Sequence, residues 1–321
     1  MMQGLEVLDP GLQTTVQDLG RIGFRDVGVP ASGPLDCVSF RLANALVRGP
    51  AGSPALEILM LGPTMKVVAE SLRVALVGCS ASMEIEHNNV KRRVPSGRSV
   101  RLIRDDVLHI PFLGDSVCAY LAIEGGFAIP PVLGSTSTYV PGGVGGFKGR
   151  RLQQGDLVPL TLNDVERRAE SVMRRPLPLG MDDLIRVILG PQVDYFTEGA
   201  VETFLSSEYT VSFQSDRMGF RLEGPTLTHS KGYNIVSDGA VTGSIQVPGS
   251  GQPIVLMVDN PTTGGYPKIA TVISSDISTL GRRAPGRKVR FVAVTIDEAH
   301  VACKQQEKNF DELSHFDSVF D

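Results

Sequence analysis

At 321 residues the chain exceeds one typical domain, and its 42% hydrophobic and 21% charged residues exclude a disordered polyelectrolyte. A formal net charge of −4 gives no basic footprint for nucleic acid. No apolar run reaches the roughly 18 residues of a membrane span, and Met1 to Pro10 has no basic segment leading into an apolar one, so a soluble, cytoplasmic protein is expected.

Glycine (35) and proline (21) punctuate short runs of valine, isoleucine and leucine, which predicts many short strands in a sandwich or barrel. Taken along the chain, the first helix follows Ser32-Gly-Pro-Leu-Asp36, with Ser32 as the expected cap. Val38, Leu42 and Leu46 share its inner face, and Arg48-Gly49-Pro50 stops it. Strands are expected at 73–78, 82–86, 99–103 and 117–123. The charged run Asp164, Glu166, Arg167, Arg168, Glu170, Arg174, Arg175, closed by Pro176 and Pro178, reads as a linker. Beyond it come strands at 185–189 and 209–213 with a helix at 198–205 between them, further strands at 244–247, 254–258, 269–273 and 288–294, and a helix after Asp297. The organisation is then an N-terminal lobe 1–162, a linker 163–180, a C-terminal lobe 181–303 and a polar tail 304–321 that is expected to fray. The basic runs Lys91-Arg92-Arg93 and Arg282-Arg283 read as solvated turns. Cys37, Cys79, Cys118 and Cys303 form no C-x-x-C pair and are expected to be reduced thiols; the five histidines have no metal-ligand spacing, so no metal is expected.

Four stretches could carry chemistry. Thr14-Thr-Val-Gln-Asp-Leu-Gly-Arg21 with Gly28 to Asp36 is either a strand, turn and cap or a seat for a carboxylate or phosphate. Glu124 to Thr138, running on to Gly142-Gly-Val-Gly-Gly-Phe-Lys-Gly-Arg150, fits neither the Walker pattern nor G-x-G-x-x-G, and is either a rim loop or an anion nest. Ser215 to Pro225, and Gly243 to Pro253 with Asp259-Asn-Pro-Thr-Thr-Gly-Gly-Tyr-Pro267, set hydroxyls, an amide, a carboxylate and a tyrosine on stiff turns. Such turns either satisfy their own backbone or hold a planar amide or ureido group. No G-x-S-x-G elbow and no Ser-His-Asp order is present.

T-T-V-Q-D-L-G-R, S-G-P-L-D, L-G-S-T-S-T, S-D-R-M-G-F-R-L-E-G-P, S-I-Q-V-P and P-T-T-G-G-Y-P, in this order, resemble the family of biotin-dependent carboxyltransferase subdomains A and B. That family includes the second subunit of allophanate hydrolase and the C component of 5-oxoprolinase. The resemblance covers about residues 5 to 295 and implies a mainly β fold with a few short helices, built as two cyclophilin-like β-barrel lobes. It also implies a partner, the B component of the same family, and one of three roles. The first is ATP-dependent opening of 5-oxoproline to L-glutamate with a third subunit, the ATP site lying on a partner or shared with it. The second is carboxyl transfer in a urea carboxylase or allophanate-type system, with biotin on another protein, and the third is non-catalytic antagonism of a sister kinase inhibitor. For the chemical readings, Arg21 and Arg217 are expected to clamp a carboxylate or phosphate, Gln246, Thr262, Thr263 and Tyr266 to surround the reacting carbonyl of a small amide or lactam, and Asp259 to orient a proton or water. Ser32, Asp36 and Ser135 are further candidates on facing loops, and turns of the two lobes are expected to share one cleft.

Overall fold

The structure, a computed structural model, describes residues 3–179 and 183–320. Strands dominate, with four α-helices among the described residues: Cys37–Leu46, Glu198–Ser206, Ser274–Gly281 and Ile296–Leu313. The chain divides into two compact units. The first takes residues up to Arg21, then Ser32–Leu179, and the end from Asn309; the second takes Ile22–Ala31 and the stretch that ends at Lys308.

In the first unit, a five-stranded sheet runs in the order Gln13–Gln17, Ala55–Leu59, Cys118–Ile123, Ser71–Val77, Ser99–Ile103. A six-stranded sheet runs Leu157–Pro159, Gly4–Asp9, Thr64–Val67, Val107–His109, Ser82–His87, Val90–Pro95. The pairings within both are antiparallel. Period-two alternation sends Leu5, Val7, Met65, Val67, Met83 and Ile85 from one sheet, and Val16, Leu56, Ile58, Leu72 and Leu121 from the other, into one core. Strand Cys118–Ile123 is buried along its whole length because it is the middle strand of its sheet and the helix Cys37–Leu46 packs on it.

The second unit is a closed seven-stranded barrel in the order Leu184–Leu189, Lys268–Val272, Ser244–Gln246, Ile254–Leu256, Gly219–Glu223, Glu208–Val211, Lys288–Ala293. The last strand returns to the first by a parallel pairing. Closure removes the exposed edges that an open sheet of this size would carry. Phe204 from the helix Glu198–Ser206 stacks on Phe291, with ring centroids 4.7 Å apart, and Tyr209 completes the aromatic plug.

Three expectations change. The first helix is capped by Asp36, not Ser32: the Asp36 carboxylate accepts from Val38 N at 3.0 Å and Ser39 N at 3.2 Å, because the stretch 32–35 lies ahead of the first turn. The charged stretch taken as a linker contains a strand, Glu170–Met173, which draws Glu170 inward to the fully buried Arg73; residues 180–182 lie outside the described residues. The tail from Lys304 does not fray. It continues the last helix to Leu313 and ends in the strand Phe316–Val319, which pairs with Glu170–Met173 and supplies that strand's missing ladder.

Candidate functional site

In the first unit, strand Gln13–Gln17 ends in Asp18, whose carboxylate gathers the hydroxyl run that sequence separates from it by more than a hundred residues. It accepts from Ser135 Oγ at 2.5 Å, Ser137 Oγ at 2.7 Å, Thr136 N at 2.6 Å and Thr136 Oγ1 at 3.0 Å, and from Gly20 N at 2.8 Å. Burial by itself would raise the Asp18 pKa, but these donors favour the charged form and hold it below its ordinary 3.8. Arg21 lies beside this network, 1% exposed, its guanidinium donating to the Ser137 carbonyl.

Of the glycines in 142–149, Gly145 and Gly146 press on this hydroxyl run, while Gly143 has open space around it. A Cβ at Gly145 would strike the Ser137 carbonyl, and one at Gly146 the Thr138 hydroxyl, while Gly146 N donates to Thr136 O at 3.0 Å. At Gly145 and Gly146 the loop lies flat against its own neighbouring segment, and the space a side chain would need is filled by chain atoms. Asp36 is fully buried, and its backbone N–H donates to the Tyr120 hydroxyl at 2.9 Å, which in turn donates to Glu57 at 2.6 Å. Burial, with Cys118, Glu57 and Asp36 close by, pushes the Tyr120 pKa well above its ordinary value, so the phenol stays a donor. Ser32 is 6% exposed, with a φ of 56°, and its hydroxyl has no hydrogen-bond partner among the described residues.

In the second unit, Arg217 and Asp259 come together. Nε to Oδ2 is 2.8 Å and an Nη to Oδ1 is 3.1 Å, with the two side chains 4% and 2% exposed. Asp259 N also donates to Arg217 O at 2.9 Å, so the ion pair and the backbone tie the turn at 215–219 to the start of the loop at 259–267. That loop rises into the two-residue strand Thr263–Gly264, which pairs with Asp238–Gly239. Lys268 lies just beyond it in sequence, at the start of a barrel strand and nearly buried. Its Nζ donates to Asp238 Oδ2 at 2.7 Å and to the Gly239 carbonyl at 3.1 Å. The ammonium and its neighbours Gly239 and Gln192 hold the Asp238 carboxyl below its ordinary pKa.

Gln246 is the cross-strand partner of Lys268 and is 6% exposed. Its Nε2 lies against Gly264, where any Cβ would collide with it, and has no hydrogen-bond partner among the described residues. Thr263 and Tyr266 are exposed on the same loop, Thr262 is half-buried, and Ala240 N donates to the Thr262 carbonyl at 3.0 Å. This end of the barrel therefore gathers a buried ammonium and a buried amide donor beside a short flap that carries hydroxyls and a phenol. Such a set of donors suits a carbonyl oxygen that gains negative charge. Among the described residues no group of three His, Cys, Asp or Glu side chains could hold a metal ion, and no helix is long and apolar enough to cross a membrane.

The family description "Carboxyltransferase domain, subdomain A and B" matches residues 27–293. The chain belongs to that family. It is 36% identical over 312 residues to the C component of 5-oxoprolinase from Escherichia coli K12, with 97% of each chain covered. It is 33% identical over 313 residues to the protein of the same name from Haemophilus influenzae, covering 96% of this chain and 97% of that one. Among solved structures, urea amidolyase of K. lactis matches all of this chain and 20% of its own length, at 30% identity and a TM-score of 0.88.

Within this carboxyltransferase fold, the sequence candidates divide by what their side chains touch. Asp36 and Ser135 serve the chain's own caps and turns, while Gln246, Thr263 and Tyr266 cluster at one barrel end. Arg217 and Asp259, expected as a ligand clamp and a proton-orienting group, hold each other. Sequence reasoning missed Lys268 and Asp18. The signal for the first was a lysine opening a mostly apolar strand, Lys-Ile-Ala-Thr-Val; for the second it was an aspartate directly after a strand, two residues before a glycine.

Proposed function

We propose that this protein is one component of an ATP-dependent 5-oxoprolinase, which opens the lactam of 5-oxoproline to L-glutamate together with the B component and a third subunit. The observation that carries the reading is the match to the C component of 5-oxoprolinase, which runs essentially end to end in both chains. Opening a lactam places negative charge on its carbonyl oxygen as the amide bond breaks, and preformed donors in a poorly hydrated site stabilise that charge. In this chain Lys268 Nζ and Gln246 Nε2 are those donors, with Thr262, Thr263 and Tyr266 orienting the ring from the loop above. Arg217 and Asp259 act by fixing the base of that loop, and Arg21 by holding the hydroxyl run of the first unit.

The glycine-rich stretch 142–149 does not fit a triphosphate, since its inward side is taken up by Ser137, Thr138 and Gly143. That supports an ATP site elsewhere, on a partner subunit or shared with one. The match to urea amidolyase over the whole of this chain favours a second reading, carboxyl transfer from biotin carried by another protein. Co-expression with the B component and the third subunit separates the two. Glutamate released from 5-oxoproline in proportion to ATP consumed supports the first reading. Carboxylation of a urea-type acceptor from a carboxybiotin donor, without glutamate, replaces it with the second.

A further inference from the structure

The basic run around Arg92 and the charged stretch from Asp164 fold about one cavity of about 310 Å³ inside the first unit. It is lined by Arg92, Arg101, Arg167, Arg168, Glu170 and Phe320. Its charges do not balance locally. Glu170 is turned inward and committed to Arg73 Nε, at 2.8 and 3.1 Å, and to the Ser99 hydroxyl at 2.5 Å. Arg168 reaches Glu124 at 3.1 Å, but Arg73 holds the same carboxylate, and the other terminal nitrogen of Arg168 is buried without a hydrogen-bond partner among the described residues. Arg101 meets the exposed Asp164 at 3.1 Å. Arg92 reaches only the Arg101 carbonyl, at 3.3 Å, and Arg167 has neither ion pair nor hydrogen bond among the described residues. Burial pulls the Arg168 pKa below its ordinary value; Glu124 opposes this, and Arg73 and Arg48 reinforce it.

Guanidinium groups gathered in a concavity without matching carboxylates raise the local potential, and their forked N–H donors fit phosphate oxygens. The volume lies at the small end of ligand pockets and has room for one or two phosphate groups. We propose that this cavity binds a phosphate or diphosphate group, free or as the end of a larger ligand, through Arg92, Arg101, Arg167 and Arg168. The site stands independently of the 5-oxoprolinase reading.

The test is calorimetric titration of the full chain with sodium diphosphate, inorganic phosphate, ATP and malonate at low ionic strength, beside the double variant Arg92→Glu/Arg167→Glu. Both positions are exposed, so the variant is expected to unfold at the wild-type temperature, which a thermal scan checks. Saturable diphosphate binding tighter than about 1 mM, weakened at least about tenfold by the double reversal, is the expected result. ATP displacing diphosphate would identify a nucleotide as the source, and its failure to do so a free phosphate. Three results would overturn the proposal: no saturable binding of any phosphate up to about 10 mM, undiminished affinity in the variant, or malonate binding as tightly as diphosphate.

Discussion

Substituting Asp259 by asparagine or alanine removes the negative half of an ion pair whose members are 2% and 4% exposed and joined by hydrogen bonds of 2.8 and 3.1 Å. The attraction lost is large only because water is absent; on the surface the same contact would contribute about 1 kcal/mol or less. Here the variant removes from the Arg217 guanidinium a carboxylate that it meets in a poorly hydrated place, which costs about 3–5 kcal/mol. With a urea dependence of about 2–3 kcal/mol per molar, the midpoint of the transition should fall by roughly 1–2 M. Replacing both partners by apolar residues of similar size, Arg217→Met with Asp259→Leu, should destabilise less than either single change, because no lone charge is left buried. Far-UV circular dichroism is the suitable signal, since the chain has no tryptophan. Unfolding of Asp259→Asn within about 0.5 kcal/mol of the parent would refute this, as would a double variant as damaged as the two singles added together.

The Gly146 backbone, at φ 55° and pressed on Thr138, predicts that Gly146→Ala costs about 2–4 kcal/mol. Gly143→Ala, at φ 63° with open space around it, should cost only about 1 kcal/mol, and equal losses in thermal scans would exclude the close-packing explanation. Asp18 has a folded pKa below its unfolded 3.8, so the stability it contributes is complete above that value and disappears as pH falls through the lower folded one. Acid titration of stability should therefore be shallower in Asp18→Asn than in the wild type, and parallel curves would contradict this. Lys268→Met exchanges a buried ammonium for an apolar chain and leaves behind only the half-exposed Asp238. In the assembled enzyme it should cut glutamate release by about a hundredfold or more while moving the unfolding transition little; wild-type turnover would remove Lys268 from the chemistry.

The strand-rich architecture was legible because strand and turn signals alternate so densely. The run from Arg73 to Gly78, the apolar stretch to Ile123 and the segments at 254 and 269 all became strands, buried nearly continuously as short apolar runs between turn signals are in a sheet covered on both faces. Less legible was anything set by a distant partner. Glu170 and its neighbours look like linker residues until Arg73, 97 positions earlier, is found waiting for them. The tail looks frayed because its helix buries only alanines, Ala299 and Ala302, and because the strand that receives its end lies in the supposed linker. The hydroxyl run at Ser135 resembled a ligand grip, yet its partner is Asp18; local sequence cannot distinguish an oxygen that waits for a ligand from one already bonded within the fold. At the barrel end the turn residues marked the loop that carries Thr263 and Tyr266 and lies against Gln246, whereas Lys268, the cross-strand partner of Gln246, carries no turn signature of its own.

The most direct test of the proposed function is to reconstitute the B component and the third subunit with and without this chain, and to follow glutamate formed from 5-oxoproline in the presence of ATP. ATP-coupled glutamate release is expected only when the chain is present. Equal release without it, or none from the complete set, would contradict the assignment.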